Sequence, residues 1–92
     1  MTLPIAPLPT GEVTIAGTVV AFRSMSRAEA LQLNGYKGRE DEAEVFILMS
    51  GTGCSEAEAE AFREGNDTAT AGLLIDGILV LSGLAERDDP KA

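Results

Sequence analysis

Histidine is absent from the 92-residue chain, and so is tryptophan. Without histidine the sequence lacks the commonest general base, the commonest zinc ligand and the side chain that titrates near neutrality. Catalytic pairs of serine or cysteine with histidine are excluded outright. Cysteine occurs once, as Cys54, so neither an internal disulfide nor a zinc site built from several cysteines can form. A single thiol fits a reducing, intracellular setting. Lysine is almost missing: Lys37 and Lys91 are the only two. Seven Lys and Arg against fifteen Asp and Glu leave a net charge of −8, the wrong sign for a duplex-binding surface. Aromatic residues make up only 4%, so the core must be mostly aliphatic. The longest apolar stretch, Ala71 to Ala85, falls short of the ~20 residues of a membrane span and carries Asp76 and Ser82. Met1 to Pro7 has no basic start and two prolines, unlike a signal peptide. The expectation is a cytoplasmic, soluble protein that is not an enzyme, takes no cofactor or metal, and binds neither nucleic acid nor membrane.

What is present is the composition of a folded domain: 45% hydrophobic and 24% charged residues. A domain this small usually needs staples or a partner, and it has no staple. Homo-oligomerisation is therefore a live expectation. Charge is uneven. Residues 1–39 carry two acids and four bases, whereas residues 40–64 carry eight acids and one base, Arg63. Intramolecular attraction and head-to-tail association both fit that division.

Residues 1–11 read as a flexible Pro-rich arm. From Glu12 to Arg23, β-branched residues point to one bent strand or a short hairpin, with Gly17 marking a bulge, bend or tight reversal. Ser26 and Glu29 have the spacing of a helix-capping box, with Met25 ahead in the staple position and Asn34-Gly35 as the stop. A second helix is expected from about Arg39 to Ser50, with acids in its first turn, although the continuous run Val45 to Met49 also suits a buried strand. Gly51-Thr52-Gly53 reads as a break. Ser55 and Glu58 form a second capping box for a helix ending at Gly65-Asn66. Asp67 or Thr68 caps a fourth helix running to about Leu84, with apolar residues over most of its circumference. Such a helix is either wholly buried or half buried with a face awaiting a partner. Residues 85–92 read as a flexible charged tail. The domain is thus α+β and mainly α: a β segment or hairpin at residues 12–23 packed on about four short helices, bounded at residues 12 and 84.

Candidate chemistry is thin. Cys54 lies ahead of a helix N-terminus, where thiol pKa falls in principle, but a small buried apolar role suits it better. The carboxylates from Glu40 to Glu44 and from Glu56 to Glu60 fall on polar helix faces, not in the contrasting environments that acid–base catalysis requires. Gly51-Thr52-Gly53 lacks the remaining glycine of a dinucleotide fingerprint. Asp76, alone within the apolar fourth helix, must either face water or pair, with Arg23 and Arg27 as partners of suitable charge.

Two short motifs carry a resemblance. Arg23-Ser24-Met25-Ser26-Arg27-Ala28-Glu29 and Ile78-Leu79-Val80-Leu81-Ser82-Gly83-Leu84 resemble the R-x-L-S-x-x-E start and I-x-x-L-S-G-L finish of the small tail assembly chaperones of long-tailed bacteriophages. Met25 stands where that pattern has leucine. The resemblance spans about residues 13–84. It implies a non-enzymatic protein in the host cytoplasm that binds the long helical tape-measure protein, with the tail tube protein as a further partner, and keeps the tape measure soluble while the tube assembles. An acidic domain with surplus apolar helix surface suits such holding. The client-facing residues are then expected to be Leu74, Ile78, Leu81 and Leu84 on the fourth helix, with Val45 and Met49 on the second. The alternative is a small structural virion protein, such as a head–tail connector or tail-completion component.

Overall fold

The computed structural model describes residues 2–85, so the tail expected at residues 85–92 lies, apart from Ala85, outside the described residues. The chain begins with β1 (Thr10–Ile15) and β2 (Thr18–Arg23), which pair antiparallel with Gly11 opposite Phe22 and Ile15 opposite Thr18. Of the two β readings, the hairpin is the one formed. Ala16 and Gly17 turn it with φ of 52° and 81°, the two left-handed residues of a type I′ turn, whose twist matches that of the strands. Strand pairing starts at Thr10, so the last two residues of the expected arm belong to the sheet. Alternation sorts the hairpin. Ile15 and Phe22 are buried and Val13 and Val20 half-buried on one face, while Glu12, Thr14, Val19 and Ala21 stay in water.

Four helices follow: α1 (Arg27–Leu33), α2 (Glu40–Thr52), α3 (Glu56–Gly65) and α4 (Thr68–Leu81), with a 3-10 turn at Asn34–Tyr36 between α1 and α2. The architecture is α+β and mainly helical, as the hydrophobic pattern predicts. Both capping boxes form. The Ser26 hydroxyl accepts from the Glu29 N–H and the Glu29 carboxylate from the Ser26 N–H, and Ser55 and Glu58 repeat the exchange. Asp67 caps α4 by accepting from the Thr70 N–H at 2.7 Å.

The segment Gly51-Thr52-Gly53 corrects the expected break. Gly51 and Thr52 are helical, and α2 stops only at Gly53, whose φ is 76°. Gly51 is there for proximity. A Cβ placed on it would collide with Ile78 Cδ1 and lie 2.7 Å from Cγ1. Gly77 serves the other side of α4 in the same way, since a Cβ there would stand 3.0 Å from the Phe22 ring. The bare glycines let α4 approach α2 on one side and the hairpin on the other. Those two elements therefore cover it more completely than its residue count suggests.

The core comprises Ile15, Phe22, Met25, Ile47, Leu48, Ala59, Ala71, Leu74, Ile75 and Ile78. Ile78 is 0% exposed and Leu74 3%. Helix α4 also ends earlier than expected. Leu84 N–H donates to the Leu79 carbonyl and Gly83 N–H to the Val80 carbonyl, and Gly83 has φ of 75°. This is a Schellman closure, in which glycine takes the left-handed position. Among the described residues no helix is long and apolar enough to cross a membrane.

Candidate functional site

Two of the six residues expected to face a client are enclosed. Leu74 and Ile78 point into the core between α4, α2 and the hairpin, which corrects their assignment to a binding face. Leu81 is half-buried against the same core. Leu84 is exposed, but it follows the helix in the Schellman closure instead of extending an apolar stripe. What α4 shows to water is Thr68 and Ala69 in its first turn, then Leu73 and Asp76. Asp76 thus marks the solvent line of the helix, and Arg23, one partner considered for it, pairs with Glu29 instead.

Val45 and Met49 have a different fate. They line a cleft of about 470 Å³ between α2 and α3. The continuous apolar run in α2 divides around the helix: Ile47 and Leu48 face the core, while Val45, Phe46 and Met49 meet the cleft. Tyr36, delivered by the 3-10 turn, stacks on Phe46 with ring centroids 5.3 Å apart. The Arg39 guanidinium lies 5.1 Å over the Tyr36 ring and donates to Glu42 at 3.0 Å and to the Gly35 carbonyl. The cleft is therefore floored by two stacked aromatics, a valine and a flexible methionine.

Its rim is acidic. Asp41 and Glu42 come from α2, and Glu56 and Glu60 from α3. Arg63 lies across the junction, donating through Nε to Glu44 at 2.8 Å and through a terminal nitrogen to Asp41 at 2.9 Å. The hydrogen bond to the Glu44 carboxylate holds the Arg63 pKa above its ordinary value; burial opposes it, and the attraction of Glu44 and Asp41 adds to the rise. This residue clips α3 to α2. In the sequence Arg63 stands out as the lone base of an acidic segment, with no motif to give it a role. Its signal is that isolation, because the lone cation is the one opposite charge within the segment, and it takes Asp41 and Glu44.

Cys54 packs half-buried against the core, its N–H donating to Thr52 Oγ1 at 3.3 Å. Among the described residues no three Cys, Asp or Glu side chains converge in the manner of metal ligands. Comparison of the chain with protein families, with curated proteins and with solved structures finds no match in any of the three.

The two motifs behind the phage resemblance are joints of the fold. Arg23 makes a fork of two 2.9 Å hydrogen bonds to Glu29, whose carboxylate also accepts from Ser26 N–H at 2.8 Å. Met25 is buried, and its N–H donates to Ser82 Oγ. From the second motif, Ile78 fills the core, and Ser82, Gly83 and Leu84 close α4.

Proposed function

We propose that this protein is a binding module that holds an amphipathic helical segment of a client in the cleft between α2 and α3. On the resemblance of its two motifs, we propose further that the client is a phage tape-measure protein, kept soluble during tail assembly. The observation that supports the reading is the cleft itself. An apolar floor of Tyr36, Val45, Phe46 and Met49 stands inside a carboxylate rim of Asp41, Glu42, Glu56 and Glu60. Helix-in-groove recognition uses that kind of floor, and methionine adapts it to varied side chains. The rim selects for Lys or Arg on either side of the client's apolar stripe, and the net charge of −8 keeps the loaded complex dispersed.

The test is co-expression of the tape-measure protein encoded in the same genome with wild-type chain and with Met49→Asp. Met49 is 36% exposed, so the variant should keep its fold by circular dichroism. Co-purification with wild type and its loss with Met49→Asp is the expected result. Equal recovery by both proteins would move the client site elsewhere. Stoichiometric presence of the chain in purified particles would replace the chaperone reading with that of a virion component.

A further inference from the structure

The arm of residues 2–9 holds the most exposed large hydrophobic side chains among the described residues: Ile5 is 96% exposed and Leu3 76%. Nothing charged interrupts Thr2 to Gly11. Prolines at 4, 7 and 9 fix their own φ near −65° and bias Leu3, Ala6 and Leu8 toward extended geometry. Such a segment favours the polyproline II helix, with three residues per turn. Pro4 and Pro7 then share one ridge, and Ile5 and Leu8 form the next. Pro-x-x-Pro ridges of this type dock on aromatic grooves, because the helix is already ordered and loses little entropy on binding.

We propose that the arm of one copy docks in the α2–α3 cleft of a second copy, over the stacked Tyr36 and Phe46. Lengths agree for the ridge residues: the five residues from Pro4 to Leu8 at ~3.1 Å span roughly 15 Å, and the cleft-lining stretch of α2 from Asp41 to Met49 at ~1.5 Å per residue spans roughly 13 Å. The contact forms between copies, not within one. The arm leaves its own body beside Ser24, whose N–H donates to the Pro9 carbonyl at 2.8 Å, and no arm residue lines the chain's own cleft. Being uncharged, the arm engages the floor and leaves the acidic rim in water. Where the cleft is also the client site, a consequence that rests on the function proposed above, arm exchange covers the sticky floor until a client displaces it.

Sedimentation equilibrium of the full chain tests the docking. Wild type should pass from 9.6 kDa toward twice that mass with rising concentration. Ile5→Asp and Met49→Asp should each remain monomeric, and an equimolar mixture of the two should regain association, because one arm and one cleft are intact. A synthetic Thr2–Thr10 peptide should shift the NMR signals of Tyr36 and Phe46 in wild type, with little change from low to high salt. A monomer at all concentrations, a dimer that survives Ile5→Asp, a mixture that stays monomeric, or a peptide that leaves those signals in place would each overturn the proposal. A basic amphipathic helical peptide serves as the separate probe of the client reading. Its binding without arm binding removes the arm proposal alone, and arm binding without its binding removes the client reading alone.

Discussion

The backbone N–H of Met25 donates to the Ser82 hydroxyl at 2.7 Å, and the same hydroxyl donates to the Ile78 carbonyl at 2.6 Å. One side chain thereby joins the entry to α1 with the last turn of α4, residues 57 positions apart in sequence. Met25 is only 5% exposed, so its N–H has little access to water if the hydroxyl is lost. The bond also joins the Arg23–Glu29 segment to the Ile78–Leu84 segment. One supplies the donor and the other the acceptor.

Ser82→Ala should therefore destabilise the protein by about 1–3 kcal/mol, the cost of leaving a buried donor unpaired. Urea unfolding checks this: the midpoint should fall while the slope stays constant. A change under ~0.5 kcal/mol would mean that water replaces the hydroxyl.

Gly51→Ala sets two effects against each other. Alanine improves helix propensity by about 1 kcal/mol, but its Cβ would collide with Ile78 Cδ1 and stand 2.7 Å from Cγ1. Ile78 is fully enclosed and has no room to withdraw. Overpacking of about 1–3 kcal/mol should prevail, for a net loss. Ile78→Ala alone should cost about 2–5 kcal/mol. The double variant should cost clearly less than the sum of the two, since each change accommodates the other. Additive costs in a denaturation cycle would show that the two helices do not meet there.

Along α4, exposure separates two otherwise similar aliphatics. Leu73 is 54% exposed and Ile78 is not exposed at all. Leu73→Asp should change stability by less than ~0.5 kcal/mol. Ile78→Asp should abolish the folded state at room temperature, because it buries an unpaired carboxylate. Circular dichroism of the two variants distinguishes this packing from one in which α4 turns its Ile78 face outward.

Most of this architecture is legible in local signals. The capping pairs Ser26/Glu29 and Ser55/Glu58 act within four residues, so spacing alone announces them. The β-branched residues and Gly17 announce a β segment with a reversal or bend, and the pairing of Thr10–Ile15 with Thr18–Arg23 decides for the hairpin. The position of α4 is not legible. Its apolar circumference suggests a face left over for a partner, yet Leu74 and Ile78 are enclosed because Gly51 and Gly77 let α2 and Phe22 close in. A missing side chain leaves no hydrophobic signal, so a close approach between helices is silent in composition. The cleft is half legible: Val45 and Met49 stand out as surplus apolar positions, whereas Tyr36 reaches the site only through a 3-10 turn that no pattern marks.

The hairpin turn carries removable strain. Ala16 sits at φ 52°, a region that costs a Cβ-bearing residue roughly 1–2 kcal/mol and that asparagine tolerates better. Ala16→Asn would create Asn-Gly, the preferred type I′ pair. The midpoint of thermal unfolding should rise, by ~4 °C or more if about 1 kcal/mol is recovered in a domain of this size. An unchanged or lower midpoint would contradict the type I′ assignment.

Acid sensitivity should concentrate in the fork between Arg23 and Glu29. Hydrogen bonding from Arg23, then from the Ser26 N–H, lowers the Glu29 pKa from 4.5 to about 2 against the opposing cost of burial. A carboxylate that binds protons less readily when folded stabilises the protein above its unfolded pKa. That stability is lost as pH falls from about 4.5 toward 2. The Arg23 side chain is 38% exposed, so solvent screens the pair, and about 1–2 kcal/mol is the expected loss across this window. Glu58 and Asp67 are also shifted downward, by the Ser55 and Thr70 amides and hydroxyls, and lose their contributions in the same sense. The Glu29 share must therefore be isolated by difference. Glu29→Gln keeps the side-chain shape and removes the titrating charge. It should be less stable than wild type at pH 7, and the gap should close as both proteins are taken to about pH 2. Parallel stability curves across that range would show that the fork contributes nothing that depends on the charge of Glu29.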